Sequence, residues 1–268
     1  MATDLVLSKK QLGYCRVTIE DFVKSKINGS NSTGAVVGLS GGLDSSVVTK
    51  LIWESGVDVR VLIMPEIGVN NPNDITDAVN FAKSLGIKSE VIEVNDTVEN
   101  INHVFHWSKF SQENKKISLA NIKPRVRMIM LYAIANLENR LVLGTSNKTE
   151  LLLGYFTKYG DSGSDILPIA DLYKTQVRQL AKYMKIPERI IKKVPTAGLW
   201  KGQTDESEIG MKYENIDKIL FQLVEKKKSV KETAKILKID EKKVKNIYER
   251  IKKTEHKRKM PPIARLDL

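Results

Sequence analysis

Gly38-Leu39-Ser40-Gly41-Gly42-Leu43-Asp44-Ser45 stands between the apolar run Ala35-Val36-Val37 and the segment Ser46-Val47-Val48-Thr49-Lys50-Leu51-Ile52-Trp53. A β-branched run, small residues and a helix-competent stretch read in turn as strand, tight loop and helix N-terminus. Such a junction is an anion site. Glycines let the backbone approach a ligand, consecutive N–H groups and the helix dipole favour negative charge, and the hydroxyls of Ser40, Ser45 and Ser46 add donors. Neither G-x-x-x-x-G-K-[ST] nor G-x-G-x-x-G fits. Asp44 inside the cradle would repel phosphate unless a divalent cation lay between them, which reads it as a Mg2+ ligand. The bland alternative is a Ser/Gly turn with Asp44 as a local cap.

Working outward, residues 8–27 carry apolar positions at helical spacing and end near Asn28-Gly29. Strands are expected at Ala35–Leu39, Val57–Met64, Ser89–Val94, Leu141–Gly144 and Ile166–Ile169, with helices at Leu43–Ser55 and about Ile75–Leu85 between the first three. Strands alternating with helices imply right-handed parallel βαβ units, whose ligands bind at the carboxyl ends of the strands where strand order reverses. Pro124 suits a helix's first turn, and Val126–Leu137 is apolar almost all round, a pattern for burial on several sides or under a second subunit. Residues 107–120 are polar and give no clear element. Arg125 and Arg127 read as surface charges or as carboxylate and phosphate clamps. The long glycine-rich stretch Gly154–Asp165 is a functional or mobile loop.

The 268 residues are 41% hydrophobic, contain no run of about 18 apolar residues and begin without a signal-peptide pattern, so a cytoplasmic protein without membrane contact is expected. Cys15, the only cysteine, excludes an internal disulfide and a structural zinc site, and its neighbours place it on a buried helix face. The net charge of +12 is concentrated: residues 225–259 hold 15 Lys/Arg against 6 Asp/Glu. That region reads as helices at Tyr213–Glu225, Val230–Leu237 and Glu241–Lys253 after a flexible Thr196–Gly210. Residues 229–253 look superficially like a helix-turn-helix, but no interleaved aromatics support nucleic-acid binding, and short apolar faces more often dock on their own core.

The Ser-Gly-Gly-x-Asp-Ser pattern resembles the pyrophosphate-binding loop of N-type ATP pyrophosphatases. Pro124-Arg125-Val126-Arg127-Met128, Gly144–Glu150, Gly154–Asp165, Leu172-Tyr173-Lys174, Pro195-Thr196-Ala197, Gly202–Glu206 and Glu255-His256-Lys257-Arg258 narrow this, and over nearly its whole length the chain resembles the ammonia-dependent NAD+ synthetases. The resemblance implies a Rossmann-like doubly wound parallel five-stranded sheet flanked by helices, with a helical C-terminal region. It implies one domain over 1–268: an N-terminal helix in 1–33, the α/β core 34–194, a flexible loop 195–212 and the basic helical region 213–268. The implied reaction is two-step. The carboxylate of nicotinic acid adenine dinucleotide (deamido-NAD+) attacks the α-phosphorus of ATP to give an acyl-adenylate and pyrophosphate, and ammonia then displaces AMP.

On the same resemblance Gly38, Leu39, Ser40, Gly41, Gly42, Leu43, Asp44, Ser45, Thr145, Lys174 and Thr196 bind ATP. Asp44 and Lys174 carry the chemistry, and Asp44 with Glu150 binds Mg2+. Arg125, Lys158, Asp165, His256 and Lys257 contact deamido-NAD+. A homodimer with substrate at its interface is implied, so His256-Lys257 must fold back or reach across. Free ammonia is the expected donor, since no glutaminase domain accompanies Cys15. Three places depart from the family's usual residues: Pro124, Gly198 within Ala197-Gly198-Leu199, and Ser162-Gly163-Ser164. Competing readings are a GMP synthetase-like or tRNA-modifying pyrophosphatase, and a nucleotide-sensing DNA-binding protein.

Overall fold

The computed structural model describes residues 5–266; residues 1–4, part of the stretch read for a signal peptide, and 267–268 lie outside the described residues. Ser8 opens α1 (Lys9–Gly29) through a capping box with Gln11. The β-branched runs then alternate with helices as β1 (Gly34–Gly38), α2 (Leu43–Glu54), β2 (Val59–Ile63), α3 (Pro72–Ser84), β3 (Ser89–Val91), α4 (Asn95–His103), α5 (Gln112–Leu137) and β4 (Arg140–Leu143). Among the described residues the sheet has four strands, all parallel, in the order β3-β2-β1-β4. The order reverses between β1 and β4, where Val36 pairs with Val142. Ligand crevices form at such a point, beyond the carboxyl ends of the strands.

The expected fifth strand is replaced by a single parallel bridge, Leu143 to Ile166. The N–H of Gly144 donates to Ile166 O at 2.9 Å, but the ladder stops there. Pro168 has no N–H to donate, and the chain turns at once, Leu172 N–H reaching Ile169 O at 3.0 Å. Proline also misleads at α5. Ser111 caps this helix, so Pro124 lies in its interior, a position that proline ordinarily disfavours by about 3 kcal/mol. The ring is buried, and a Cβ added to Gly160 would come within 2.9 Å of Pro124 Cβ.

Side chains alternate across the sheet. Ala35, Val37, Val61 and Ile63 face one core with α1, α2, α3 and the later helices α7 (Lys174–Tyr183) and α8 (Glu188–Ile191), where half-buried Cys15 packs. Val36, Leu62 and Val142 face a second core with α4 and α5. A third core joins α6 (Lys148–Leu153) to α10 (Tyr213–Leu220), α11 (Val230–Leu237) and α12 (Glu241–Lys253). There Ala234, Val244 and Ile247 of the helix-turn-helix lookalike pack on Ile216 and Leu220. The expected helix Tyr213–Glu225 is α10 followed by a π-helical turn over Phe221–Glu225, and the polar stretch before it contains α9 (Asp205–Ile209). No helix among the described residues is long and apolar enough to cross a membrane.

Candidate active site

Two loops leave the carboxyl edge of the sheet on either side of the reversal, Gly38–Gly42 after β1 and Gly144–Asn147 after β4. Gly42 occupies the cap position of α2 without any side-chain cap bond, so the helix presents open N–H groups. Ser40 Oγ lies 3.0 Å from Ser45 Oγ and accepts the Gly42 N–H at 3.2 Å, while Ser46 Oγ donates to Gly42 O at 2.8 Å. The hydroxyls thus hold the loop as well as offering donors to a ligand.

Across the reversal, Asn147 caps α6 through a capping box with Glu150, and its Nδ2 donates to Asp44 Oδ1 at 3.1 Å. Lys174 enters from the start of α7. Its ammonium pairs with Asp44 at hydrogen-bond contact and lies 3.4 Å from Glu150 Oε1. Burial opposes the charge on Lys174, yet the carboxylates of Asp44 and Glu150 outweigh it and hold its pKa above the ordinary lysine range. Burial likewise pushes the Glu150 carboxyl up, more than Lys174 pulls it down, with Asp44 and Asp205 adding to the rise. The Asp44 and Glu150 carboxyls and the Lys174 ammonium thus share one buried cluster on the cavity wall. Among the described residues no group of three or more His, Cys, Asp or Glu is assembled for a metal. A pair of carboxylates on a cavity wall nevertheless fits Mg2+, which keeps waters and takes its remaining ligands from substrate phosphates.

Sequence reasoning missed the supports of this cluster. Lys174 N–H donates to Thr149 Oγ1 at 2.9 Å, and Thr149 Oγ1 donates to Asp217 Oδ1 at 2.6 Å; Thr175 N–H donates to Asp217 Oδ2 at 2.8 Å. Buried Asp205 accepts from Tyr213 Oη at 2.9 Å and Tyr155 Oη at 3.1 Å, and burial raises its carboxyl despite Lys174 nearby. Asp205 stands in the quoted Gly202–Glu206 segment, the one signal that could have marked it. Behind the wall residue Leu199, Lys123 pairs with Glu66 at 2.6 Å and donates to Leu199 O at 2.7 Å. Arg127 donates through Nε to Met64 O at 2.8 Å and through Nη2 to Asn70 Oδ1 at 3.3 Å.

The result is a cavity of about 960 Å3. Gly38, Leu39, Ser40, Gly42, Leu43, Asp44, Ser45, Thr145, Glu150, Lys174, Thr196 and Lys257 line it, whereas Gly41 lies behind it. Arg125, Lys158, Asp165 and His256 stand outside its lining. Asp165 spends both oxygens within the chain, accepting Val142 N–H at 2.7 Å and Tyr132 Oη at 3.0 Å. The tail folds back onto its own chain: Lys257 Nζ donates to Gly154 O and Phe156 O, each at 2.7 Å, and Lys158 Nζ donates to His256 O at 2.9 Å. Arg125 Nη2 reaches Lys158 O at 3.2 Å.

An anion cradle at the switch point of a parallel sheet, facing a Lys/Asp/Glu cluster across one large cavity, defines an α/β enzyme that handles a phosphate-bearing substrate. The NAD synthase pattern matches residues 16–261, and the chain belongs to that family. The NH3-dependent NAD+ synthetase of Archaeoglobus fulgidus is 48% identical over 248 residues, 92% of this chain and 94% of its own length. That of Methanocaldococcus jannaschii is 45% identical over 91% of this chain and 93% of its own. Among solved structures, the NMN synthetase of Francisella tularensis superposes with a TM-score of 0.83 at 33% identity, covering 97% of this chain and all of that one. The NH3-dependent NAD synthetase of Campylobacter jejuni gives 0.78 at 30% identity with the same coverage.

Proposed function

We propose that this chain catalyses the ATP-dependent amidation of deamido-NAD+ to NAD+ with ammonia, through an acyl-adenylate, releasing AMP and pyrophosphate. The observation that carries the reading is the pairing of Lys174 with Asp44 and Glu150 opposite the uncapped start of α2. A carboxylate is a poor electrophile and adenylation supplies its leaving group, so the protein's work is positioning and neutralising phosphate charge. Open N–H groups of α2, with the hydroxyls of Ser40 and Ser45, receive the pyrophosphate end. Lys174 meets a phosphate as a point charge. Asp44 and Glu150 would hold Mg2+, which supplies further charge neutralisation. Thr145 and Thr196, on facing walls, contact ATP; Lys257 reaches the dinucleotide from within the cavity, and Arg125, Lys158, Asp165 and His256 bound its outer rim.

A homodimer completes that rim. Arg125, Ile129, Ala133 and Leu137, spaced by four on α5, form one exposed stripe with Arg125 at its cavity end. A cytoplasmic setting suits the soluble substrates. A second reading, amidation of the mononucleotide acid, draws on the superposition with the Francisella NMN synthetase.

The test is incubation with ATP, Mg2+ and ammonium plus either deamido-NAD+ or nicotinic acid mononucleotide, following NAD+, NMN, AMP and pyrophosphate. NAD+ with stoichiometric AMP is expected. Product from the mononucleotide alone would transfer the assignment to the second reading, and no AMP from either acid would end both.

A further inference from the structure

We propose that Lys193 is a positioning residue for the phosphate cradle: its ammonium fixes the Gly41–Gly42 peptide with the N–H turned toward the phosphates. The inference rests on the proposed function only in taking the cradle's ligand to be the phosphate end of ATP. Lys193 follows α8 by two residues, where the chain leaves the core for Val194-Pro195-Thr196. Its Nζ lies 2.9 Å from Gly41 O, 2.6 Å from Asp74 Oδ1 and 2.7 Å from Asp77 Oδ2. An ammonium has three N–H donors, and three acceptors use them all. Lys193 lines the cavity, but with its donors committed to Gly41 and to the two aspartates of α3 it acts through the loop.

The geometry of the loop gives that contact its consequence. Gly41 has φ +77°, and a Cβ there would stand 2.1 Å from Asp74 O, so the loop is wedged against the first turn of α3. A trans peptide directs its C=O and N–H to opposite sides. With Gly41 O drawn outward to Lys193, the Gly42 N–H must point inward, where Ser40 Oγ accepts it at 3.2 Å. Gly42 lines the cavity and Gly41 does not.

Charge works in the same direction. Asp74, itself on the cavity wall, and Asp77 flank the cradle and would repel a bound phosphate. Lys193 neutralises them together with Arg189, 2.7 Å from Asp77. Thr196 is three residues further along, so one ammonium joins the cradle to the segment that closes the cavity from the other side.

The test is calorimetric binding of inorganic pyrophosphate and of ATP to the full chain with Mg2+, run beside steady-state kinetics. Lys193→Met is expected to weaken both ligands about tenfold or more, the loss of a charged hydrogen bond, and to raise the KM for ATP by the same factor. The KM for the acid substrate stays unchanged, and Lys193→Arg recovers part of the loss. Adding Asp74→Asn and Asp77→Asn removes the repulsion but leaves the peptide unpinned, so binding remains weak. Wild-type pyrophosphate affinity in folded Lys193→Met, a parallel rise in both KM values, or full recovery in the triple variant overturns the proposal. If Lys193→Met does not fold, Lys193→Gln, which keeps a donor for Gly41 O, carries the same comparison at smaller amplitude. A wild-type protein that binds pyrophosphate but makes no NAD+ refutes the proposed function and leaves this inference standing.

Discussion

Lys174 depends on a residue that contributes nothing to the cavity. Asp217, on α10, is fully buried and accepts from Thr149 Oγ1 and Thr175 N–H, fixing the backbone on either side of Lys174. Burial is the dominant influence on its carboxyl and raises it, more than the Thr149 and Thr175 donors lower it. The folded protein therefore binds a proton at a pH where the unfolded chain, near the ordinary value of about 3.9, has lost it. The contribution of Asp217 to stability consequently rises as pH falls from its raised folded value toward the unfolded one. Asp217→Asn lacks this gain and leaves one donor without an acceptor, at about 1–3 kcal/mol. Thermal melts from pH 7 to pH 4 should show the wild-type advantage widening with acid; a constant or shrinking gap would contradict the assignment. Asp44 was legible because its own neighbours make an anion loop in which an acid is out of place. Asp217 was not, because its partners lie 68 and 42 residues away and a lone Asp on an amphipathic helix reads as solvated.

At the scale of elements, β1, α2, β2 and α3 were legible from periodicity and punctuation, since each apolar run is bounded by Gly, Asn or Pro. The failures are physical too. Proline is commonest at a helix's first turn, so Pro124 concealed the twelve residues of α5 before it, whose real start is the Ser111 cap. The fifth strand failed because an apolar run predicts burial, and burial at Ile166 and Ile169 is met by packing without a ladder. How the basic tail docks was likewise invisible, because it turns on one close approach. Gly154, at φ +60°, ends α6 against Thr254, and a Cβ there would meet Thr254 Cβ at 2.3 Å. Left-handed backbone plus overpacking puts Gly154→Ala at about 2–4 kcal/mol of destabilisation. The clash also lifts the segment carrying Lys257 from Gly154 O and Phe156 O. The KM for the dinucleotide should therefore rise while that for ATP holds; equal changes in both would show that Lys257 plays no part in dinucleotide binding.

Basic charge is concentrated at the C-terminal end, whereas exposed apolar groups are spread more widely, Ile236, Met260 and Ile263 of that end among them. Lysines crowd the C-terminal helices, whose buried faces are committed to the third core, while α5 turns Ile129, 60% exposed, and Leu137, 81% exposed, outward. The turn after α4 adds Val104, Phe105 and Phe110, all exposed, with the Phe105 and Trp107 rings 5.2 Å apart. The sequence already showed a helix apolar on too many sides for one domain, but the exposed stripe needed the structure, because the sheet takes one side and only the register of α5 says which residues remain. A monomer seldom leaves so many large apolar groups in water. A two-fold pairing of α5 stripes would cover Ile129 and Leu137 and bring Arg125 to the seam beside Lys158. Light scattering should therefore report a dimer for the wild type. Ile129→Glu, which places a carboxylate in the seam without disturbing either core, should give a folded monomer with a raised KM for the dinucleotide and an unchanged affinity for ATP. A wild-type monomer with full activity at the same concentration would refute the pairing, and with it the placing of Arg125 at a shared site.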